Sequence, residues 1–274
     1  MTRQQIKHTF YCPAGCFAPG DESGALPAGV RVPEGMRVVF PREEAHHALH
    51  VLRVGAGDLV RVTDGEGGLF HVEMEAVSRK QAVGRVLEVL KSATEPHVRL
   101  RVGLGLLKQT ARYETFLEKA VELGVHSIVP LESERTERSR LRLDRCRKIL
   151  VAALKQSGRS RLPALEAPAT FSSVVEGLAP GDTGFVAHEA GSPQDHLRLA
   201  CHALQNPDSA PAEGQKITPG HVITLLVGPE GGFSDEEMRQ AADAGWTTVW
   251  LGPRRLRAET AAMAAAGFII MSLE

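Results

Sequence analysis

From about residue 97 onward the chain alternates strand-like and helix-like runs, and this constrains the fold more than any other feature. "HVRLRVGLGLL" (97–107) precedes the amphipathic "ARYETFLEKAVELG" (111–124), which is followed by "HSIVPL" (126–131) and a basic helix around 142–157. The strand "GFVAHE" (184–189), a helix near 194–204 and the strand "HVITLLVG" (221–228) come next. A helix "SDEEMRQAADAG" (234–245), a strand "TTVWLG" (247–252) and a closing helix from about Ala258 complete the pattern. Alternation of this kind predicts an α/β domain built on a mainly parallel sheet. Ligands of such sheets bind at the loops leaving the carboxyl ends of the strands. Three of those loops are rich in chemistry: "AHEAGS" (187–192), "GPEGGFSDEE" (228–237) and "GPRRLRAET" (252–260).

Residues 1–90 have another rhythm. "MRVVF" (36–40), "DLVRVTDG" (58–65), "GLFHVEMEAVS" (68–78) and "AVGRVLEVL" (82–90) are short alternating runs punctuated by glycines. They predict a small barrel or sandwich. The insert "EEAHHALHVLRV" (43–54) is helical in period and sets His46 and His50 four residues apart. No carboxylate or third histidine joins them at ligand spacing, so no metal is expected. Two domains follow, 1–92 and 93–274, with the polar "QNPDSAPAEGQKITPG" (205–220) as a surface loop of the second.

A formal net charge of −1 over 274 residues argues against wholesale polyanion binding. The segment 135–161 is nevertheless crowded with Arg and Lys, which reads either as a local nucleic-acid footprint or as a solvated helix face. Cys12, Cys16, Cys146 and Cys201 are scattered and read as free thiols. The apolar tract "TAAMAAAGFIIM" (260–271) is too short to span a bilayer, and the start has no apolar run of a signal peptide. A cytoplasmic protein without membrane association is expected.

The loop "GPEGG" is glycine-rich but is not a phosphate cradle. A P-loop needs a lysine and a hydroxyl after its glycines, whereas Asp235, Glu236 and Glu237 occupy the following helix start. Ser234 and Glu237 have the spacing of a capping box, which accounts for them without any function. A dinucleotide fingerprint fails as well, because "GLGLLK" carries Lys108 where a small residue is required. Glycines and a proline without phosphate-binding side chains suit a flat ligand gripped by peptide groups, such as an adenine or amino-acid moiety.

Two signatures, "LLVGPEGGFSDEE" (225–237) and "LGPRRLRAETAAMAA" (251–265), resemble those of the RsmE family, 16S rRNA (uracil-N3)-methyltransferases of the SPOUT (trefoil-knot) class. "HHALHVLRVGAGDLVRVTDGEG" resembles the family's N-terminal PUA-like RNA-binding β-barrel. "LKQTARYETFLEKAVELGVHSIVPLESERT" and "KILVAALKQSGRSRLPAL" resemble the start of its catalytic domain. The resemblance implies S-adenosylmethionine as cofactor, a knotted α/β C-terminal domain, a homodimer, and 16S rRNA in the small ribosomal subunit as partner. It implies cofactor contacts from Val227, Gly228, Pro229, Glu230, Gly231 and Gly232, from Leu251, Gly252, Leu256 and Thr260, and from His188. Glu230 would either hold its loop or recognise the cofactor's amino group.

Methylation of uracil N3 requires alignment of donor and acceptor, removal of a weakly acidic proton and stabilisation of the charge left on the ring oxygens. Arg257 and Glu259 are the expected catalytic pair. Arg257 would contact uracil oxygens or a phosphate, and Glu259 would be base or orienter, with His188 a further candidate base. Arg53, Lys108, Arg135 and Arg159 are the expected RNA contacts. The chain departs from the family at Lys155, where an acid is usual, at Arg255, where an aliphatic residue is common, and at Ala258, where a hydroxyl is common. The Arg255 change is expected to alter packing under the cofactor loop. Two other readings remain: a non-catalytic rRNA-binding or assembly factor, and a knotted methyltransferase acting on tRNA or on a ribose hydroxyl.

Overall fold

The computed structural model describes residues 6, 8–18, 35–78, 81–90, 95–137, 141–206 and 220–274. The chain divides into two compact units, Met1–Glu95 with Val151–Leu162, and Pro96–Leu150 with Pro163–Glu274. Residues 91–94, where the sequence places its domain boundary, lie outside the described residues, as do 207–219 of the polar loop and 19–34 of the N-terminal extension.

The first unit holds β1 (Thr9–Tyr11), β2 (Phe17–Ala18), β3 (Arg37–Val39), α1 (Arg42–His46), β4 (Leu59–Thr63), β5 (Leu69–Val77) and β6 (Ala82–Leu90). They form one sheet in the order β1-β4-β5-β6-β3-β2, antiparallel except where β1 meets β4. Period-two patterning turns Val38, Val60, Val62, Phe70, Val72, Met74 and Val86 into a single buried cluster with Phe10 and Phe40. Ala45 of α1 and Ala48 of the π-helical turn His47–Val51 complete that cluster. The His46 and His50 rings meet at a tilt of 44°, with centroids 4.5 Å apart. All four cysteines are free.

The segment 151–162 belongs to this unit through two acids. Glu44, whose side chain is 10% exposed, pairs with Lys155 Nζ at 2.6 Å. Glu95 accepts hydrogen bonds from Arg159 Nη2 (2.6 Å), from the Ser160 amide (2.8 Å) and hydroxyl, and from the Arg161 amide (3.0 Å). Burial alone would raise the Glu95 carboxyl, but the Arg159 hydrogen bond and charge and the two amides outweigh it and hold it below its usual range.

The second unit holds β7 (Arg99–Gly105), α2 (Thr110–Leu123), β8 (Ser127–Glu132), the first half of α3 (Leu143–Ser157), β9 (Ala164–Leu165), β10 (Ala169–Thr170), α4 (Phe171–Glu176), β11 (Thr183–Ala187), α5 (Leu197–Gln205), β12 (Val222–Val227), α6 (Asp235–Asp243), β13 (Thr247–Val249) and α7 (Ala258–Leu273). Its strands are all parallel, in the order β10-β8-β7-β12-β11-β13, with β9 on β8. The inner strands are buried on both faces, so β12 reads as the unbroken apolar run "VITLLV". Helix α7, apolar on nearly all sides, packs on α2, α5, β7 and β12. In register, Leu104, Val227, Ala187 and Val249 stand level across β7, β12, β11 and β13. The four strands therefore release their following loops at one height.

The helix expected near 194–204 begins later, at Leu197. Ser192 and Asp195 close a capping box around a separate 3-10 turn, Pro193–Asp195. The expected α6 cap is present in both halves, with Ser234 Oγ accepting from the Glu237 amide and Glu237 Oε2 from the Ser234 amide.

The Glu95 cluster makes stability depend on acid. A carboxyl lowered by folding contributes stability above its unfolded value, and this is lost as pH falls through the folded value. Thermal unfolding from neutral pH down through the carboxylate range is expected to fall less steeply for Glu95→Gln than for the wild type. Parallel curves would show that Glu95 contributes nothing.

Candidate active site

The level strand ends frame a cavity of about 830 Å³. One wall is Val227 to Phe233 of the β12–α6 loop, a second is Trp250 to Ala258 with Ala261, and a third is Ala187 to Gly191 of the β11–α5 loop; Arg112 and Arg135 close it.

These walls are tied together by the backbone. His188 N–H donates to Val249 O (3.0 Å), Trp250 N–H to Asp195 O (2.8 Å) and Leu197 N–H to Trp250 O (3.0 Å). The glycines mark where the chain has no room for a side chain. A Cβ at Gly228 would lie 2.9 Å from the Gly232 carbonyl carbon, and one at Gly191 would lie 2.6 Å from Trp250 Cβ. A Cβ at Gly105 would collide with the Pro229 nitrogen, so the end of β7 packs directly under the loop. Gly232 (φ 68°) and Gly252 (φ 106°) turn in the left-handed region that favours glycine.

Side chains brace the glycine loop from outside. Arg135 Nη1 donates to Gly231 O at 3.0 Å. Glu230 accepts from the Lys108 amide at 3.2 Å and has Arg112 Nη1 at 4.0 Å, so it holds the loop. Glu237 Oε1 accepts from the Glu134 amide at 2.9 Å, so one carboxylate both caps α6 and pins the turn after β8.

Of the expected cofactor residues, Val227 to Gly232, Leu251, Gly252, Leu256 and His188 all line the cavity. Thr260 stands exposed on the first turn of α7 and is not among the lining residues. Arg257 lines the cavity as the N-cap residue of α7. Glu259 is 8% exposed and does not line it; it meets Arg112 Nε at 3.7 Å. His188 Nδ1 accepts from the Ala190 amide at 3.2 Å, which leaves the neutral ring's proton on Nε2. Arg255 is 84% exposed and 3.7 Å from Glu189 at the rim of the cavity.

The expected RNA contacts are placed unequally. Arg135 is exposed at the cavity. Lys108 is exposed and pairs with Glu137 at 2.8 Å. Arg53 is exposed at φ 54°, a conformation costing a side-chain-bearing residue roughly 1–2 kcal/mol. Arg159 is 4% exposed and engaged by Glu95, so as placed it offers no guanidinium to a phosphate.

Arg112 was not singled out from the sequence. A signal was present, because it stands in the first turn of α2, where the helix dipole disfavours a cation and no acid accompanies it.

A parallel sheet with a glycine-walled, arginine-rimmed cleft at its carboxyl edge matches the RNA methyltransferase domain family over residues 94–270, and residues 40–87 match the RNA methyltransferase PUA domain. Ribosomal RNA small subunit methyltransferase E of Synechocystis sp. is 31% identical over 240 residues, covering 86% of this chain and 74% of that one. The Mycobacterium bovis protein of the same name is 30% identical over 246 residues, covering 86% of each. The crystal structure of ribosomal RNA small subunit methyltransferase E from Neisseria gonorrhoeae bound to S-adenosyl methionine superposes with a TM-score of 0.73 at 26% identity, covering 96% of this chain and 95% of that one. The chain belongs to the ribosomal RNA small subunit methyltransferase E family.

Glu237→Ala removes a cap and the acceptor for the Glu134 amide. The expected cost is about 1 kcal/mol, with faster hydrogen exchange at Glu134 than in β12. Unchanged protection at Glu134 would contradict this bracing role.

Proposed function

We propose that this chain methylates N3 of a specific uridine in small-subunit (16S) rRNA, using S-adenosylmethionine. The observation that carries the reading is the glycine-walled cavity at the level ends of β12, β11 and β13, formed by the two signatures that define the family.

The residues present fit the cofactor. The walls combine peptide groups at Gly228 to Gly232 and Gly252 with the apolar Val227, Pro229, Leu251 and Leu256. An adenosyl group asks for such a lining. Of the acids following the glycine loop, Glu237 is turned to capping and bracing and Glu236 pairs with Arg239, which a phosphate-free ligand tolerates. When bound, S-adenosylmethionine supplies a methyl group on a positively charged sulfur. The protein's own task is to place uracil N3 in line with that group and to accommodate the charge as N3 loses its proton. Arg257 donates to uracil oxygens or to a neighbouring phosphate, and Glu259 serves as base or orienter.

RNA is held by exposed arginines and lysines, among which Arg53 and Arg135 are the best presented. The strained backbone at Arg53 supports this, since glycine would fit that turn more easily. A trefoil knot is supported by β12 lying between the earlier strands β7 and β11, with α7 returning across β7 and β12. A homodimer is supported by apolar exposure on neighbouring helices, Met271 of α7 at 71% and Leu199 of α5 at 44%. Among the described residues no helix is long and apolar enough to cross a membrane; a cytoplasmic site of action follows from the ribosomal substrate in this reading.

Incubation with labelled S-adenosylmethionine and undermodified small subunits, followed by mapping of the modified base, is expected to yield one N3-methyluridine. Label on a ribose, on tRNA, or nowhere would favour the rival readings. Glu259→Gln is expected to slow methyl transfer by about 100-fold or more while calorimetry shows cofactor affinity nearly intact.

A further inference from the structure

We infer that Glu259 acts through Arg112, and that Arg112 is a substrate-contacting residue whose guanidinium receives a uracil oxygen as negative charge develops on it. This rests on the functional reading above and deepens it.

Glu259 is buried and does not line the cavity, whereas Arg112, 3.7 Å away, does. Arg112 is also gripped by Glu230 Oε1, 4.0 Å from Nη1. One guanidinium thus stands between an acid of the glycine loop and an acid at the start of α7. Both separations are ion-pair distances rather than hydrogen bonds, so the acids orient the side chain without saturating its five N–H donors. Arg112 is 27% exposed, while Arg135, Arg254, Arg255 and Arg257, which line the same cavity, are exposed. It is therefore the least hydrated arginine of the cavity, and the one whose field is least screened.

The two flanking acids also select the kind of anion. A ligand carboxylate resident beside Arg112 would put three negative charges around one positive charge. A uracil oxygen arrives neutral, becomes anionic as the N3–H bond breaks and its proton passes to water, and is discharged again as the N3–methyl bond forms and the sulfur–methyl bond breaks. An interaction that strengthens only at that stage accelerates the reaction without tightening the ground state.

The test compares wild type, Arg112→Met, Arg112→Lys, Glu259→Gln and the Arg112→Met/Glu259→Gln double variant. Methyl transfer to undermodified small subunits is measured together with calorimetric binding of S-adenosylmethionine, and thermal unfolding verifies that each variant is folded. Arg112→Met is expected to lower kcat by about 100-fold or more and to leave cofactor affinity and the KM for subunits within about threefold. Arg112→Lys restores the charge but not the fork, and should recover about tenfold of the loss. The double variant should be no slower than Arg112→Met by more than about threefold, because the two residues form one unit. If Arg112→Met does not fold, Arg112→Lys against Glu259→Gln carries the same comparison.

Losses that multiply in the double variant would make Glu259 an independent base and overturn the inference. A fall in cofactor affinity of about tenfold or more with Arg112→Met would assign the guanidinium to the cofactor carboxylate, and would also overturn it. Wild-type methylation that Arg112→Met leaves within about threefold overturns it alone. A wild type that neither binds S-adenosylmethionine nor methylates RNA overturns the functional reading and this inference together.

Discussion

The site depends on strand register. Because Leu104, Val227, Ala187 and Val249 lie abreast, the loops after β7, β12, β11 and β13 start from a common edge and must share the space above it. A slip of one residue in any of these strands would invert its faces and displace its loop by about 3.3 Å. The unbroken apolar runs keep the inner strands buried on both sides. The direct seating of Pro229 on Gly105 then fixes the height of the glycine loop.

Above that edge the protein uses acids as struts. Glu230, Glu237 and Glu259 each face inward to the fold's own amides or guanidinium. This explains how a loop rich in carboxylates can border a cleft rimmed by Arg135, Arg254, Arg255 and Arg257. These three negative charges are used in bracing, and Arg254 and Arg257 stand exposed at the cavity rim. The same logic operates in the first unit, where Glu95 gathers Arg159, Ser160 and Arg161.

Much of this was legible in the sequence for physical reasons. Period-two runs in the first 90 residues and the strand–helix rhythm after 97 report directly on burial, so the main strands and helices were foreseen. The Ser234–Glu237 cap was legible because its spacing is the geometry. The short strands β1, β2, β9 and β10 and the six-residue α4 were not foreseen, being too short to show a period. Residues acting at a distance in the chain were also hidden. Nothing in "ARYETF" indicates that Arg112 faces Glu230 and Glu259 more than a hundred positions away, and nothing in "QSGRSR" indicates that Arg159 is claimed by Glu95. The outward placement of Arg255 was hidden for a related reason, because a one-dimensional comparison shows an aliphatic position replaced but not which way the side chain points.

The pairing of Lys155 with buried Glu44 bears on ancestry and on protein engineering. Where relatives carry an acid at that position, the partner in their first unit must differ in charge or be protonated. A chimera that grafted such a relative's 151–162 segment onto this N-terminal unit would set two carboxylates against each other in a site with little water. In such a graft the two positions are therefore expected to need exchange together.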